Sequence, residues 1–127
     1  MRRLLIYFWL LSGLVLVFND VLFGLDTTPP VIFNVNAINI SNTTARLVWY
    51  TDEPANSGCC YGTSNSSGIP ILYGGYVNYH SILLTGLTPG TLYHFKVISF
   101  DSSLNKSESP YFTFTTKSPE NIPLEII

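Results

Sequence analysis

An all-β domain, a two-sheet sandwich with one hydrophobic N-terminal helix ahead of it, is the fold the sequence predicts, and three observations lead there. The first is residues 82–97, where two alternating strands meet at a proline–glycine corner closed by a tyrosine. Ile82 and Leu84 share one face of the incoming strand, Leu87 plugs the corner, and Tyr93, Phe95 and Val97 line one face of the returning strand with period two. Pro89 cannot donate to a ladder and Gly90 tolerates a positive φ, so the chain turns between them. Tyr93 can pack its ring inward and send its hydroxyl back to the loop backbone. The second observation is composition: from Asp26 onward the chain is rich in Thr, Ser, Asn, Tyr and Val, with turn signals about every eight to twelve residues. The third is that all eight prolines fall outside the proposed strand interiors, as ladder bonding requires.

The elements follow in order. Asp26-Thr27-Thr28-Pro29-Pro30 is an extended, rigid lead-in, because consecutive prolines favour polyproline II and block pairing. Residues 31–38 give a first strand. Residues 44–51 give a second, with Ala45, Leu47 and Trp49 on one face and Arg46, Val48 and Tyr50 on the other, which puts Trp49 at the centre of the core. Asp52-Glu53-Pro54-Ala55 breaks the ladder, residues 58–63 resume it with Tyr61 facing inward, and residues 64–70 form a polar loop. A short strand at 71–73 and strands at 79–85, 91–100 and 111–116 complete seven elements, with residues 101–110 as a long polar loop.

The first 25 residues differ from all that follows. Met1-Arg2-Arg3 precedes an uncharged run over residues 4–18, then Asn19-Asp20 and a second apolar patch over 21–25. As a helix, residues 4–18 cover roughly 22 Å, short of the hydrocarbon core of about 30 Å. Residues 4–25 would span it. A signal peptide and an uncleaved transmembrane signal anchor both fit, and cleavage after Gly24 would place Leu22 where a small residue is preferred. Arg2 and Arg3 hold the N-terminus in the cytoplasm, which puts the chain from Asp26 onward outside the cell, at the membrane or secreted.

Several further motifs identify the family resemblance. The entry Asp26-Thr27-Thr28-Pro29-Pro30, Trp49, Thr51-Asp52-Glu53-Pro54-Ala55, Tyr61-Gly62-Thr63, the corner with Leu84, Leu87 and Tyr93, and the exit Phe112-Thr113-Phe114-Thr115-Thr116 together resemble a fibronectin type III domain over residues 26–117. The resemblance is to the kind found in exported microbial proteins and ahead of purple acid phosphatase catalytic domains. It implies a seven-stranded immunoglobulin-like sandwich, closed by a tyrosine corner, that serves as a spacer, docking surface or adhesive module. Catalysis is not implied, since the phosphatase relatives keep their metal ligands in a separate domain.

Charge and reactive residues narrow the function. A net charge of −2 with 11% charged residues offers no basic face for nucleic acid. Cys59 and Cys60 are strand neighbours that leave opposite faces. Cys59 reads as a buried hydrophobe beside Tyr61, Cys60 as an outward thiol able at most to link two copies, and no disulfide or metal site joins them. His80 has the parity of Ile82 and points toward the core edge, whereas His94 faces solvent, so no catalytic pair forms. Asp52 with Glu53, and Asp101 with Glu108, supply too few oxygens for calcium and read as loop-capping groups. No metal or other cofactor is expected. Asn39, Asn42, Asn65 and Asn105 each satisfy the glycosylation rule in loops or strand ends. Tyr73, Tyr76 and Tyr79 around Gly74-Gly75 form a candidate aromatic strip for a glycan or protein partner, the alternative being that one or two of them cover the sandwich edge. The 101–110 loop reads Asp101-Ser102-Ser103-Leu104-Asn105-Lys106-Ser107 where some family members carry Arg-Gly-Asp, so integrin binding does not carry over. The tail 118–127 is a linker ending Leu124-Glu125-Ile126-Ile127, frayed or adding as a strand to a neighbour.

The sequence therefore reads as a non-enzymatic extracellular interaction or structural module. Two other arrangements share these features: a subunit of a surface filament, and an accessory domain of a partner-encoded hydrolase such as a metallophosphatase.

Overall fold

In a computed structural model the chain is described over residues 24–120, apart from 66, 67 and 69. The expected N-terminal helix and the end of the tail lie outside these residues. Six strands form: β1 (Ile32–Ile38), β2 (Ala45–Gly62), β3 (Ile71–Leu84), β4 (Leu92–Phe100), β5 (Lys106–Glu108) and β6 (Phe112–Thr115). All pairings are antiparallel, in the order β1-β2-β4-β5, with β3 also on β2 and β6 also on β4.

Two long strands build both halves of the sandwich. The first part of β2 pairs with β1 and with the end of β3 (Trp49 opposite His80), and its last part pairs with β4 and the start of β3 (Cys59 opposite Val97 and Ile71). The expected break at residues 52–55 is instead a bend inside one strand, where the register against β3 slips between Tyr50 and Ala55. Pro54 therefore lies in a strand interior, contrary to the sequence expectation. It is tolerated because it falls within the slipped stretch and opposes no ladder partner. Side chains close this gap: Asn78 Nδ2 donates to the Thr51 carbonyl at 3.1 Å, and Thr51 Oγ1 donates to the Val77 carbonyl at 3.4 Å. Likewise β3 joins the two strands expected at 71–73 and 79–85, and the 101–110 loop contains β5, held to β4 by three paired positions.

The core lies between the two halves. Ala45, Leu47, Trp49, Cys59, Ile82, Leu84, Leu87, Tyr93, Phe95, Val97 and Phe114 are buried together, with Tyr61, Ile32, Val35 and Ala37 packed against them. Trp49 is fully buried and its Nε1–H donates to Ser99 Oγ at 3.1 Å, which supplies the partner an indole needs away from water. At the corner the Tyr93 hydroxyl accepts the Thr88 N–H at 2.9 Å, and Gly90 takes φ 59°. Among the described residues no buried side-chain nitrogen or oxygen lacks a hydrogen-bond partner.

Candidate functional site

The side chains with chemical potential are mostly committed to structure. His80 is fully buried, stacked on Trp49 with ring centroids 4.8 Å apart and planes 8° from parallel. Its Nε2 lies 2.8 Å from Thr51 Oγ1 and its Nδ1 2.8 Å from Ser57 Oγ, so the ring donates to one hydroxyl and accepts from the other. Burial pushes its pKa down to about 4, which keeps it neutral. His94 sits half-buried on β4 opposite Gly62 and Thr113, away from His80.

Both thiols are free, and Cys60 departs from its expected outward position: it is only 6% exposed. Its ladder partner is Lys96, whose ammonium reaches Glu108 at 3.1 Å. The burial of Cys60 closes off a link between two copies through it. Cys59 is wholly buried, and desolvation raises its pKa to about 12.

Asp52 and Asp101 cap loops, whereas Glu108, expected to do the same, lies in β5 and pairs with Lys96 and Lys106 at 3.1 and 3.0 Å. Asp52 Oδ1 accepts the Val31 N–H at 2.7 Å. Asp101 Oδ1 accepts the N–H groups of Ser103 and Asn105 at 2.8 and 2.9 Å, and Oδ2 accepts Asn105 Nδ2 at 2.8 Å. Burial alone would raise the Asp101 pKa, but the hydrogen bonds from Asn105, Ser103 and Leu104 outweigh it and hold the carboxyl below its ordinary range. Asp26, Glu53 and Asp101, distant in sequence, bring carboxylate oxygens within 4.8 Å of one another, a grouping the sequence reading missed because it paired Glu53 with Asp52. Desolvation and the charges of Asp26, Asp101 and Asp52 raise the Glu53 pKa. Among the described residues these three form the one grouping able to approach a cation, although Asp101 already spends both oxygens on its own loop.

Of the glycosylation candidates, Asn39 and Asn65 are exposed and Asn42 is half-buried. Asn105 is a structural residue: its amide donates to the Asp26 carbonyl at 3.0 Å as well as to Asp101.

The exposed face carries the clearest binding geometry. Tyr73, Tyr76 and Tyr79 are each about half exposed, and no ring contact among the described residues joins the three. Tyr79 instead lies directly across from Tyr50 on β2, which lies across from Phe33 on β1. The Phe33 and Tyr50 ring centroids are 5.8 Å apart with planes 18° from parallel, and those of Tyr50 and Tyr79 are 5.1 Å apart at 50°. The result is a three-strand aromatic row on the outer face, with each side chain 41–49% exposed. Phe33 also lines a groove of about 430 Å³ between β1 and the β5–β6 segment, shared with Pro30, Val35, Pro110 and Phe112.

Sequence parity alone places Tyr50 outward, so its part in the row was open to sequence reasoning. Phe33 was not, because alternation groups it with the inward Val35 and Ala37. A bulge reverses it: the β1–β2 register shifts between Phe33 and Asn36, and Asn34 adopts φ 54°.

Comparison with solved structures fits this geometry. Its structural neighbours include fibronectin type III domains. A fibronectin type III domain derived from the human KIAA0970 protein is 26% identical with a TM-score of 0.51, covering 78% of this chain and 80% of its own. A computationally redesigned β-sandwich protein is also 26% identical, with a TM-score of 0.54, covering 75% of this chain and 95% of its own. The sensor domain of the anti-sigma factor RsgI4 in Pseudobacteroides cellulosolvens shares the fold at 21% identity and a TM-score of 0.56, covering 77% and 99%. No family model and no curated sequence matches the chain. Fibronectin type III-like domains are in general non-enzymatic extracellular interaction modules, and this sandwich has their architecture.

Proposed function

We propose that the chain is a non-enzymatic interaction or structural module displayed outside the cell, on a membrane-anchored or secreted protein. The observation that carries this reading is the exposed row of Phe33, Tyr50 and Tyr79 on a sandwich whose reactive side chains are otherwise spent on its own structure. Large apolar rings held in water by their own backbone are more economically explained by contact with another molecule than by stability. Export is supported by Arg2 and Arg3 ahead of the apolar run. The fold contributes a rigid body with ligandable faces, and it supports no particular chemistry by itself.

The test is protease treatment of intact and lysed cells making the full chain, followed by mass spectrometry of the mature protein. The domain should be cut or shed from intact cells, and the N-terminal peptide should show whether residues 1–25 are retained. Protection in intact cells with full cleavage after lysis overturns the extracellular assignment. Sustained turnover of a phosphoester or glycoside by the contaminant-free chain overturns the non-enzymatic one.

A further inference from the structure

We propose that the Phe33–Tyr50–Tyr79 row is a binding platform for a neutral polysaccharide chain, lying across β1, β2 and β3. This rests on the interaction-module reading above and names the class of ligand.

The bulge in β1 is the first support. A regular strand would place Phe33 on the same face as Val35 and Ala37, inside the sandwich; the extra residue at Asn34–Val35 turns Phe33 outward and lets Ile32 fill the interior instead. The turn-out requires a non-glycine residue at positive φ, and bulges of this kind serve to re-aim a side chain. The aimed ring meets Tyr50 and completes the row.

The neighbouring positions supply the second support. Register places Asn36, Val48 and Ser81 beside the aromatic row, and Ile38, Arg46 and Leu83 beyond them. None of these nine positions is acidic, and the single cation among them, Arg46, donates to Ser81 Oγ at 2.8 Å; on the row's other flank Val31 faces Asp52, whose carboxylate accepts the Val31 N–H at 2.7 Å and would repel an anionic chain. The row thus combines aromatic carbon for the C–H faces of sugar rings with uncharged donors and acceptors for their hydroxyls: two tyrosine hydroxyls, the Asn36 amide and the Ser81 hydroxyl. An anionic polymer would find one cation already engaged.

Shape is the third support. The rings follow one another at 5.8 and 5.1 Å, about one sugar unit per ring, in a line perpendicular to the strands. An ordinary protein interface takes roughly 800 Å² from each partner around a fully buried apolar centre. Here the rings are only half exposed and are bordered by Asn36 and Ser81 on one flank and by exposed Val31 and Asp52 on the other, with no buried apolar centre, which matches a narrow polymer better.

The test is affinity electrophoresis of the detergent-solubilised full chain through gels containing mixed-linkage β-glucan, xylan, mannan or polygalacturonate. At least one neutral polymer should retard the protein and polygalacturonate should not. Phe33→Ala, Tyr50→Ala and Tyr79→Thr should each weaken retardation about fivefold. Tyr50→Phe should keep most of it and Tyr73→Ala all of it. Urea melts followed by the fluorescence change of the full chain, in which Trp49 is buried in the sandwich core and Trp9 lies in the N-terminal segment, identify any variant that fails to fold, and the two other row variants then carry the test. No retardation by any neutral polymer, retardation by polygalacturonate alone, or retardation that survives Phe33→Ala with Tyr50→Ala overturns the proposal. Self-association seen by sedimentation and lost in Phe33→Ala overturns the glycan occupant but leaves the interaction-module reading intact, since that reading falls only on the localisation and turnover tests.

Discussion

Buried between Thr51 and Ser57, His80 makes the stability of the domain depend on pH. The folded protein holds the ring neutral with its pKa lowered to about 4, whereas the unfolded chain titrates it near the ordinary value of 6.5. Unfolding therefore takes up a proton between these values, so this contribution is complete above about pH 6.5 and is lost as pH falls toward 4. Urea unfolding at pH 4.5 should show a stability lower than at pH 7.5 by up to about 3 kcal/mol. His80→Gln, although weaker at neutral pH, should flatten the dependence. Tyr93 works at the same scale: Tyr93→Phe keeps the ring stacked near Phe114 but leaves the Thr88 N–H without its acceptor, and should cost about 1–2 kcal/mol in a urea melt. The parity of residues 93–97 and the proline–glycine turn made this corner legible from sequence alone. The partners of His80 were not legible, because Ser57 reaches it only through the bend in β2, and no local pattern announces such a contact.

At the scale of strands, the bends decide most of what sequence reasoning left incomplete. Alternation gave the inward faces of β2 and β4 correctly, since each is regular where it meets the core. It could not give Phe33, because a bulge changes parity without leaving a periodic trace, nor the burial of Cys60, because alternation reports the face of a residue and not what its neighbouring strands place over it. It also treated Pro54 as a strand terminator, when a slipped register lets a proline sit inside a continuous strand. The β1 bulge is directly testable. Asn34 holds φ 54°, so Asn34→Val should destabilise by about 1–2 kcal/mol while Asn34→Gly should stay within a few tenths, as read by chemical denaturation. Equal effects of the two would show that the left-handed conformation at residue 34 is not what holds the bulge.

Over the whole molecule, charge gathers at one pole. Asp26 from the lead-in, Glu53 from the bend and Asp101 from the loop after β4 converge where the chain enters the sandwich. Desolvation, and after it the charges of Asp26, Asp101 and Asp52, raise the Glu53 pKa, so the ionised form of Glu53 is disfavoured by folding and its cost is removed as pH falls. Glu53→Gln should therefore raise the thermal midpoint at pH 7 in low salt, with a smaller gain in high salt, because screening relieves the same repulsion. An unchanged midpoint would mean that the three carboxylates do not repel measurably. This cluster joins residues 75 positions apart, which no local motif could show.

The two ends of the described chain leave from opposite poles, Asp26 beside Asn105 and Lys117 beside Ser41, at either end of β1. A pull applied through the flanking segments consequently runs along the strands. It would load the β1–β2 hydrogen bonds in parallel, so that they must slide past one another together instead of opening one at a time. A domain whose two exits lie at either end of β1 therefore meets tension in shear, along its strands.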